Sequence, residues 1–330
     1  MRAIVITRPG GPDVLALRDV ADPLPGTGEI RVRVHATAVN RADLLQRMGR
    51  YPAPAGAPQD IPGLEYAGVV DAIGEGAQRW RAGDRVMGLV GGGGYADYIV
   101  THEDEAMRVP SGLSLEDAAA IPEAFITAHD ALFTRLGLQR GESLLIHAVG
   151  SGVGTAALQL AKAHDVLVIG TQRSGWKLER AQPLGLDVGI ETDAASFADR
   201  VLSEVHTARA TEGVDAVLDL VGGDYLAGNL RAIRVLGRIV VVGLVAGAKS
   251  ELDMRLLLQK RATITGTVLR ARSLVEKVEA VRAFERDVMP LLETAAVRPI
   301  IDTVLPLEDV VRAHELVEGD GNFGKVVLTV

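Results

Sequence analysis

The first 120 residues carry apolar side chains in short alternating runs. Ile30, Val32 and Val34 are separated by charged neighbours, the period of a strand with one buried face. This pattern predicts strands over 3–7, 29–37, 67–73, 85–89 and 95–100. The segments 23–28, 51–62 and 91–94 between them are rich in Pro and Gly and read as turns and loops. A β-rich, barrel-like domain is expected. From about 123 to 265 the apolar runs become short and nearly continuous, as in strands buried on both faces, and they are separated by stretches of helical period. Strands are predicted over 143–149, 166–171, 188–191, 214–221, 238–245 and 263–268, with helices over 153–163, 177–184, 196–207 and 225–235.

Six strands in this rhythm fit two βαβαβ halves, the doubly wound α/β fold that binds dinucleotides. A long helix over 273–294 follows, then strands over 300–305 and 325–330 flanking a helix over 307–317. A completed six-stranded sheet has no vacant place for the last two strands, so the tail is expected to return to the first domain. The expected division is 1–122 with 269–330 as one discontinuous domain, and 123–268 as the nucleotide domain.

Composition narrows the function classes. Thirty-five Lys and Arg against 43 Asp and Glu give a net charge of −8. No basic block breaks that balance, so neither a nucleic acid nor an anionic membrane is an expected partner. The absence of cysteine excludes disulfides, thiolate catalysis and every zinc site that uses Cys ligands. The four-residue apolar run near the N-terminus is too short for a signal-peptide core, and a cytoplasmic location is expected. The weakly charged stretch 143–161 reaches membrane-span length but contains His147, Gln159 and three glycines, which suits strand, tight turn and helix better.

The chemistry is carried by His147-Ala148-Val149-Gly150-Ser151-Gly152-Val153-Gly154, which follows a predicted strand and opens a predicted helix. Backbone N–H groups there, with no Cβ at Gly150, Gly152 and Gly154, can approach a pyrophosphate at the positive end of the helix dipole. The second strand leads into Thr171-Gln172-Arg173-Ser174-Gly175-Trp176-Lys177. A carboxylate there would hold a ribose 2′-hydroxyl, but none is present. Arg173 and Lys177 supply charge and Ser174 a hydroxyl, which suits a 2′-phosphate, so NADPH is the expected cofactor.

Several blocks in order make the chain resemble a zinc-independent medium-chain dehydrogenase/reductase of the NADPH:quinone oxidoreductase branch, which includes zeta-crystallin and the tumour-suppressor-inducible quinone reductases. They are Asn40-Arg41-Ala42-Asp43-Leu44, Gly49-Arg50-Tyr51, Ile61-Pro62-Gly63-Leu64-Glu65, Gly91-Gly92-Gly93-Gly94-Tyr95-Ala96, Pro122-Glu123-Ala124-Phe125-Ile126-Thr127-Ala128, the loop 147–154, and Asn322-Phe323-Gly324-Lys325-Val326-Val327. The resemblance implies a GroES-like catalytic domain beside the Rossmann domain, with substrate in a cleft between them. It also shows what is missing: Leu64 stands where zinc-dependent relatives have a histidine, and their four-cysteine lobe has no counterpart. Without a Lewis acid, reduction of a simple ketone loses its main electrostatic help. Hydride addition to a quinone gives an anion delocalised over the ring, so a quinone or conjugated enone is the expected substrate.

By the resemblance, Tyr51, Asn40 and Asp43 line the cleft beside the nicotinamide, with Tyr51 touching substrate, and Thr127 approaches the nicotinamide ribose or ring. Ser151 sits in the phosphate loop. Val221, Gly222, Leu244 and Leu269 flank the cofactor, and Asn322 closes over it. Thr192 stands where many relatives carry a tyrosine that covers the 2′-phosphate. Relatives form dimers through an edge strand of the Rossmann sheet, which implies a homodimer. From the residues alone, Asn40 and Asp43 also suit a helix start, and Tyr51 a loop tyrosine among prolines. Two rival functions stay open, an enone or enoyl-thioester reductase and an NADPH-binding sensor or structural protein.

Three further patterns have plainer readings. Residues 319–325 match Gly-x-x-x-x-Gly-Lys but lead into a predicted strand, so no P-loop is expected. His314-Glu315 reads as a solvated helix face. The four glycines at 91–94 read as a hairpin-like turn.

Overall fold

The computed structural model describes residues 1–192 and 195–330. The chain forms two compact units, Met1–Ile126 with Leu269–Val330, and Thr127–Val268.

In the first unit, β1 (Arg2–Ile6) and β2 (Leu15–Asp19) pair antiparallel as a small separate sheet. The main sheet contains β3 (Glu29–Val39), β4 (Glu65–Ile73), β5 (Arg85–Leu89), β6 (Tyr98–His102) and β7 (Ala106–Arg108). Alternation on β3 buries Ile30, Val32 and Val34 against Tyr66, Val70, Trp80 and Val86. Helix α1 (Arg41–Arg47) starts where β3 ends, closed by a capping box between Asn40 and Asp43. α2 (Leu115–Ala119) and α3 (Pro122–His129) follow. The glycines at 91–94 are not a hairpin turn. β5 pairs with β4 and β7, whereas β6 pairs with β3, so the segment crosses between non-neighbours. It is held instead on the loop before β4, with Gly93 N–H donating to the Ile61 carbonyl and Gly94 N–H to that of Gly63.

The second unit holds β8 (Ser143–His147), α4 (Gly152–Ala163), β9 (Leu167–Gln172), α5 (Gly175–Ala181), β10 (Val188–Glu191), α6 (Ala198–Arg209), β11 (Val214–Asp219), α7 (Tyr225–Ala232), β12 (Ile233–Val241), α8 (Met254–Lys260) and β13 (Thr263–Gly266). All six strands are parallel, in the order β10-β9-β8-β11-β12-β13. The order reverses between β8 and β11, the switch point at which doubly wound sheets take their ligands. Leu145, Ile169, Ile190, Val217 and Ile239 from the strands meet Val201 and Leu230 from the helices in one core. The helix expected to Val235 stops at Ala232, because Leu236 takes a left-handed φ of 64° and the chain has already joined the sheet at Ile233.

The tail returns to the first unit. The helix expected over 273–294 is two, α9 (Leu274–Asp287) and α10 (Met289–Glu293). Pro290 has no N–H to donate and its ring excludes the preceding turn, which breaks the helix at Val288. β14 (Ile301–Pro306), α11 (Val310–Glu318) and β15 (Lys325–Thr329) complete the unit, with the sheet order β14-β15-β3-β4-β5-β7. A strand, not a helix, therefore follows the glycines before Lys325, as the sequence predicts.

Candidate active site

Where β8 ends, Ala148 takes a left-handed φ of 50° and turns the chain back. Ser151 then caps α4, its Oγ accepting the Gly154 N–H at 3.1 Å. Gly152 and Val153 open the helix, so their N–H groups are among those that lack an intrahelical acceptor. Gly150 N–H meets Gln172 Oε1 at 3.3 Å. A Cβ on Gly154 would lie 2.4 Å from the Ala148 carbonyl oxygen, so only glycine lets helix and strand approach this closely. This close-packed loop, with amides at a helix start and a strand-order switch, fits the pyrophosphate of a dinucleotide.

Beneath the loop runs a buried polar chain that sequence reasoning missed. His147 Nδ1 pairs with Thr171 Oγ1 at 2.7 Å and its Nε2 with Asn229 Oδ1 at 2.6 Å. Asn229 donates to Asp219 Oδ2 at 2.9 Å, and Asp219 Oδ1 accepts the Val221 and Gly222 N–H groups at 2.8 Å. Burial holds His147 below the usual imidazole value, against the opposing pull of Asp219 and Asn229. The ends of β8, β9 and β11 are thereby tied together.

At the end of β9, Arg173 is exposed and Ser174 occupies the position before α5. Lys177 differs from expectation: it is 1% exposed, with its Nζ 5.4 Å from the centre of the Trp176 ring. Of the two cations expected at this site, Arg173 is the exposed one. Thr192 follows β10 and donates its N–H to the Gln172 carbonyl at 2.9 Å. Val221 accepts from the Ala246 N–H, and Leu244 is largely exposed in the loop after β12. Thr127 is buried at the start of this unit.

The first unit builds a second cluster. Asn40 donates through Nδ2 to Glu65 Oε1 at 2.8 Å, and Lys325 Nζ reaches the same oxygen at 2.7 Å and also Asn40 Oδ1. Glu65 Oε2 accepts the Glu123 N–H at 2.9 Å. Glu65 is fully buried and Lys325 nearly so, making this an ion pair out of solvent. Asp43 is also fully buried. It accepts the N–H groups of Asn40 at 2.8 Å and Gly63 at 2.9 Å, and the Tyr95 hydroxyl at 3.3 Å. Burial raises its carboxyl to about 6 in spite of the two backbone donors. Asp43 has no solvent-exposed surface, and its carboxylate is engaged by the start of α1, the Gly63 loop and Tyr95. It holds Gly63, whose φ of 102° and contact with the Tyr95 backbone exclude any side chain.

Tyr51 is half-buried, with its hydroxyl pushed up by burial and by Glu123 and drawn down by Arg270. Arg270 fixes its loop. Nε donates to the Gly91 carbonyl at 2.8 Å, Nη1 to the Tyr51 carbonyl at 3.1 Å, and Nη2 to Gln46, while the guanidinium lies 5.1 Å from the Tyr51 ring centre. Leu269 is buried beside it. Asn322 donates to the Gly324 carbonyl at 2.7 Å and shapes the turn into β15. His314 is not on a solvated face. It is fully buried between Arg47 and Tyr95, and burial with the Arg47 charge lowers it to about 3.

Tyr51, Asn40, Asp43, Leu269 and Asn322 thus belong to one unit, and Thr127, the phosphate loop, Arg173, Ser174, Lys177, Thr192, Val221 and Leu244 to the other. Glu65, Glu123 and Lys325 lie within the motifs named above, but the sequence assigns them no site role. Nothing in the sequence marked Arg270. Among the described residues, no group of three or more His, Cys, Asp or Glu side chains is set to hold a metal ion, and no helix is long and apolar enough to cross a membrane.

Residues 26–111 match the alcohol dehydrogenase GroES-like domain, and residues 152–285 the zinc-binding dehydrogenase domain. The chain is 32% identical to a quinone oxidoreductase of Lama guanicoe over 99% of this chain and 97% of that one. The quinone oxidoreductase of Pseudomonas syringae superposes with a TM-score of 0.89 at 28% identity, over 100% of this chain and 99% of that one. A mycobacterial protein, Rv1454c, solved with NADPH, superposes at 0.88 with 29% identity over the whole of both chains. With a GroES-like domain, a nucleotide-binding doubly wound domain and full-length quinone oxidoreductase relatives, the chain belongs to the medium-chain dehydrogenase/reductase family of oxidoreductases.

Proposed function

We propose that this enzyme is an NADPH-dependent quinone reductase that works without a metal ion. The observation that carries the reading is the end of β9. The strand following the phosphate loop closes on Gln172, exposed Arg173 and Ser174 and brings no carboxylate of its own to claim a ribose 2′-hydroxyl; the carboxylate beside Gly175 is that of Glu191 at the end of β10. Bound at that loop, a reduced nicotinamide supplies hydride from its C4. Gly150, Ser151, Gly152, Val153 and Gly154 would hold the pyrophosphate, Arg173 and Ser174 the 2′-phosphate, and Thr127, Val221 and Leu244 the nicotinamide half. Tyr51, aligned by Arg270, would meet the substrate ring, and Asn40 would border it.

Zinc does not fit the donor set. The chain has no cysteine, Leu64 precedes Glu65, and the Lys325 ammonium already lies on Glu65 and Asn40. A substrate that needs no Lewis acid agrees with this, and so do the names of the full-length relatives. The test is loss of NADPH absorbance with a panel of ortho- and para-quinones, with and without a chelator, beside conjugated enones and crotonyl-CoA. Turnover of quinones that survives chelation is expected. Turnover of enones alone would move the assignment to the rival reductase, and inactivity throughout would refute it.

A further inference from the structure

Glu123 lies at the start of α3, next to the cluster around Glu65. Its backbone N–H is engaged by Glu65 Oε2 at 2.9 Å, which fixes the residue at the start of α3. Its own Oε2 is buried and has no hydrogen-bond partner. The neighbouring carboxylates are committed: Glu65 to Lys325, Asn40 and the Glu123 amide, and Asp43 to Asn40, Gly63 and Tyr95. A buried carboxyl oxygen left unpaired costs about 1–3 kcal/mol, so the arrangement is sustained most cheaply if a bound molecule completes it.

The charged and titratable groups that act on Glu123 lie on several elements of the first unit. These are Glu65 on β4, Lys325 on β15, Asp43 on α1, Arg270 in the returning segment, and Tyr51 in its loop. Burial, then the Glu65 charge, raises the Glu123 carboxyl to about 8, with Asp43 adding to the rise and Lys325 and Arg270 opposing it. At neutral pH it therefore carries a proton, and the charges of Lys325 and Arg270 favour the carboxylate left when that proton departs.

We propose that Glu123 is a catalytic acid: it hydrogen-bonds a carbonyl oxygen of the substrate beside Tyr51 and gives that oxygen the proton that accompanies hydride. This rests on the quinone-reductase reading. The balance is complete. A bound reduced nicotinamide would supply the hydride, whose electron pair, leaving the C4–H bond, forms the new bond to the quinone and gives the mono-anion of the hydroquinone. The Glu123 O–H bond then breaks, its proton joins the phenolate oxygen, and solvent later reprotonates the carboxylate. Quinone is reduced by two electrons as the nicotinamide is oxidised by two.

The test joins a spectrum with kinetics. In the infrared difference spectrum of wild type minus Glu123→Gln at pH 7, a protonated carboxylic-acid carbonyl band is expected, and it should fade as pH rises through about 8. Wild-type kcat for a quinone should fall over the same range. Glu123→Gln should lower kcat about 10²-fold or more and flatten that limb, with KM changed little and NADPH binding by fluorescence unchanged. Absence of the band, a wild-type profile flat through this range, or a variant that keeps both rate and limb would each overturn the proposal while quinone turnover stands. Wild type that binds NADPH and shows the band but reduces no quinone would instead sink the quinone-reductase reading, and proton delivery to a quinone with it.

Discussion

Replacing Lys325 with Met tests whether the first unit is built around the buried ion pair. In the native protein, Glu65 Oε1 is shared by Lys325 at 2.7 Å and Asn40 at 2.8 Å, with neither charge more than 5% exposed. Methionine keeps most of the volume but leaves the Glu65 charge with two neutral hydrogen bonds in a medium that solvates it poorly. Removing one partner of such a pair costs about 3–5 kcal/mol. At about 2–4 °C per kcal/mol for a domain of this size, the melting temperature should fall by about 6–20 °C. Adding Glu65→Gln should return a substantial part of this, because the amide carries no charge to strand. The double variant should be more stable than Lys325→Met by about 2 kcal/mol. Calorimetric melting and urea titration of the two single variants and the double variant read this directly. A Lys325→Met protein within about 1 kcal/mol of wild type, or a double variant whose losses simply add, would show that the first unit does not depend on this pair.

Three further outcomes are expected. Gly154→Ala places a methyl 2.4 Å from the Ala148 carbonyl oxygen, so nucleotide binding measured by fluorescence should weaken at least tenfold and stability fall by about 1–3 kcal/mol. Arg270→Lys cannot serve the Gly91 and Tyr51 carbonyls and Gln46 together, so the quinone KM should rise while nucleotide affinity holds; unchanged KM would contradict the role given to Arg270. Glu123 holds its proton to about 8 in the fold but to about 4.3 in the unfolded chain, so its contribution is most favourable below pH 4 and is lost as pH rises through 8. Urea midpoints should show Glu123→Gln gaining on wild type by a few kcal/mol between about pH 4 and 9, and parallel curves would contradict this.

The architecture was legible where one periodicity ruled. Val188–Glu191 and Arg85–Leu89 appear with the predicted ends, because apolar runs there are bounded by clear turn residues. Misreadings arose where tertiary contacts chose the outcome. Ile233 joins the sheet before the helical pattern has ended, and the glycines at 91–94 are fixed by a loop some 30 positions earlier in the chain. His314 looked solvated because its helix offers Glu315 and Glu318 nearby, yet it faces Arg47 and Tyr95.

The site was legible in part for the same reason. The phosphate loop is local, so strand, glycines and helix announce it together. The Glu65 and Lys325 pair spans 260 positions and the bond between Arg270 and Gln46 spans 224, and no local pattern encodes either. Asp43 carried two meanings in the sequence, cleft residue and helix-start residue. Its burial with three donors and its capping box at α1 fit the second.

The central claim is a dinucleotide site selective for the 2′-phosphorylated form, and titration calorimetry of NADPH and NADH into wild type and Arg173→Ala tests it most directly. Wild type should bind NADPH more tightly than NADH, and in the variant that preference should shrink at least tenfold with NADH affinity nearly unchanged. No heat with either nucleotide, or equal loss of both in the variant, would contradict it.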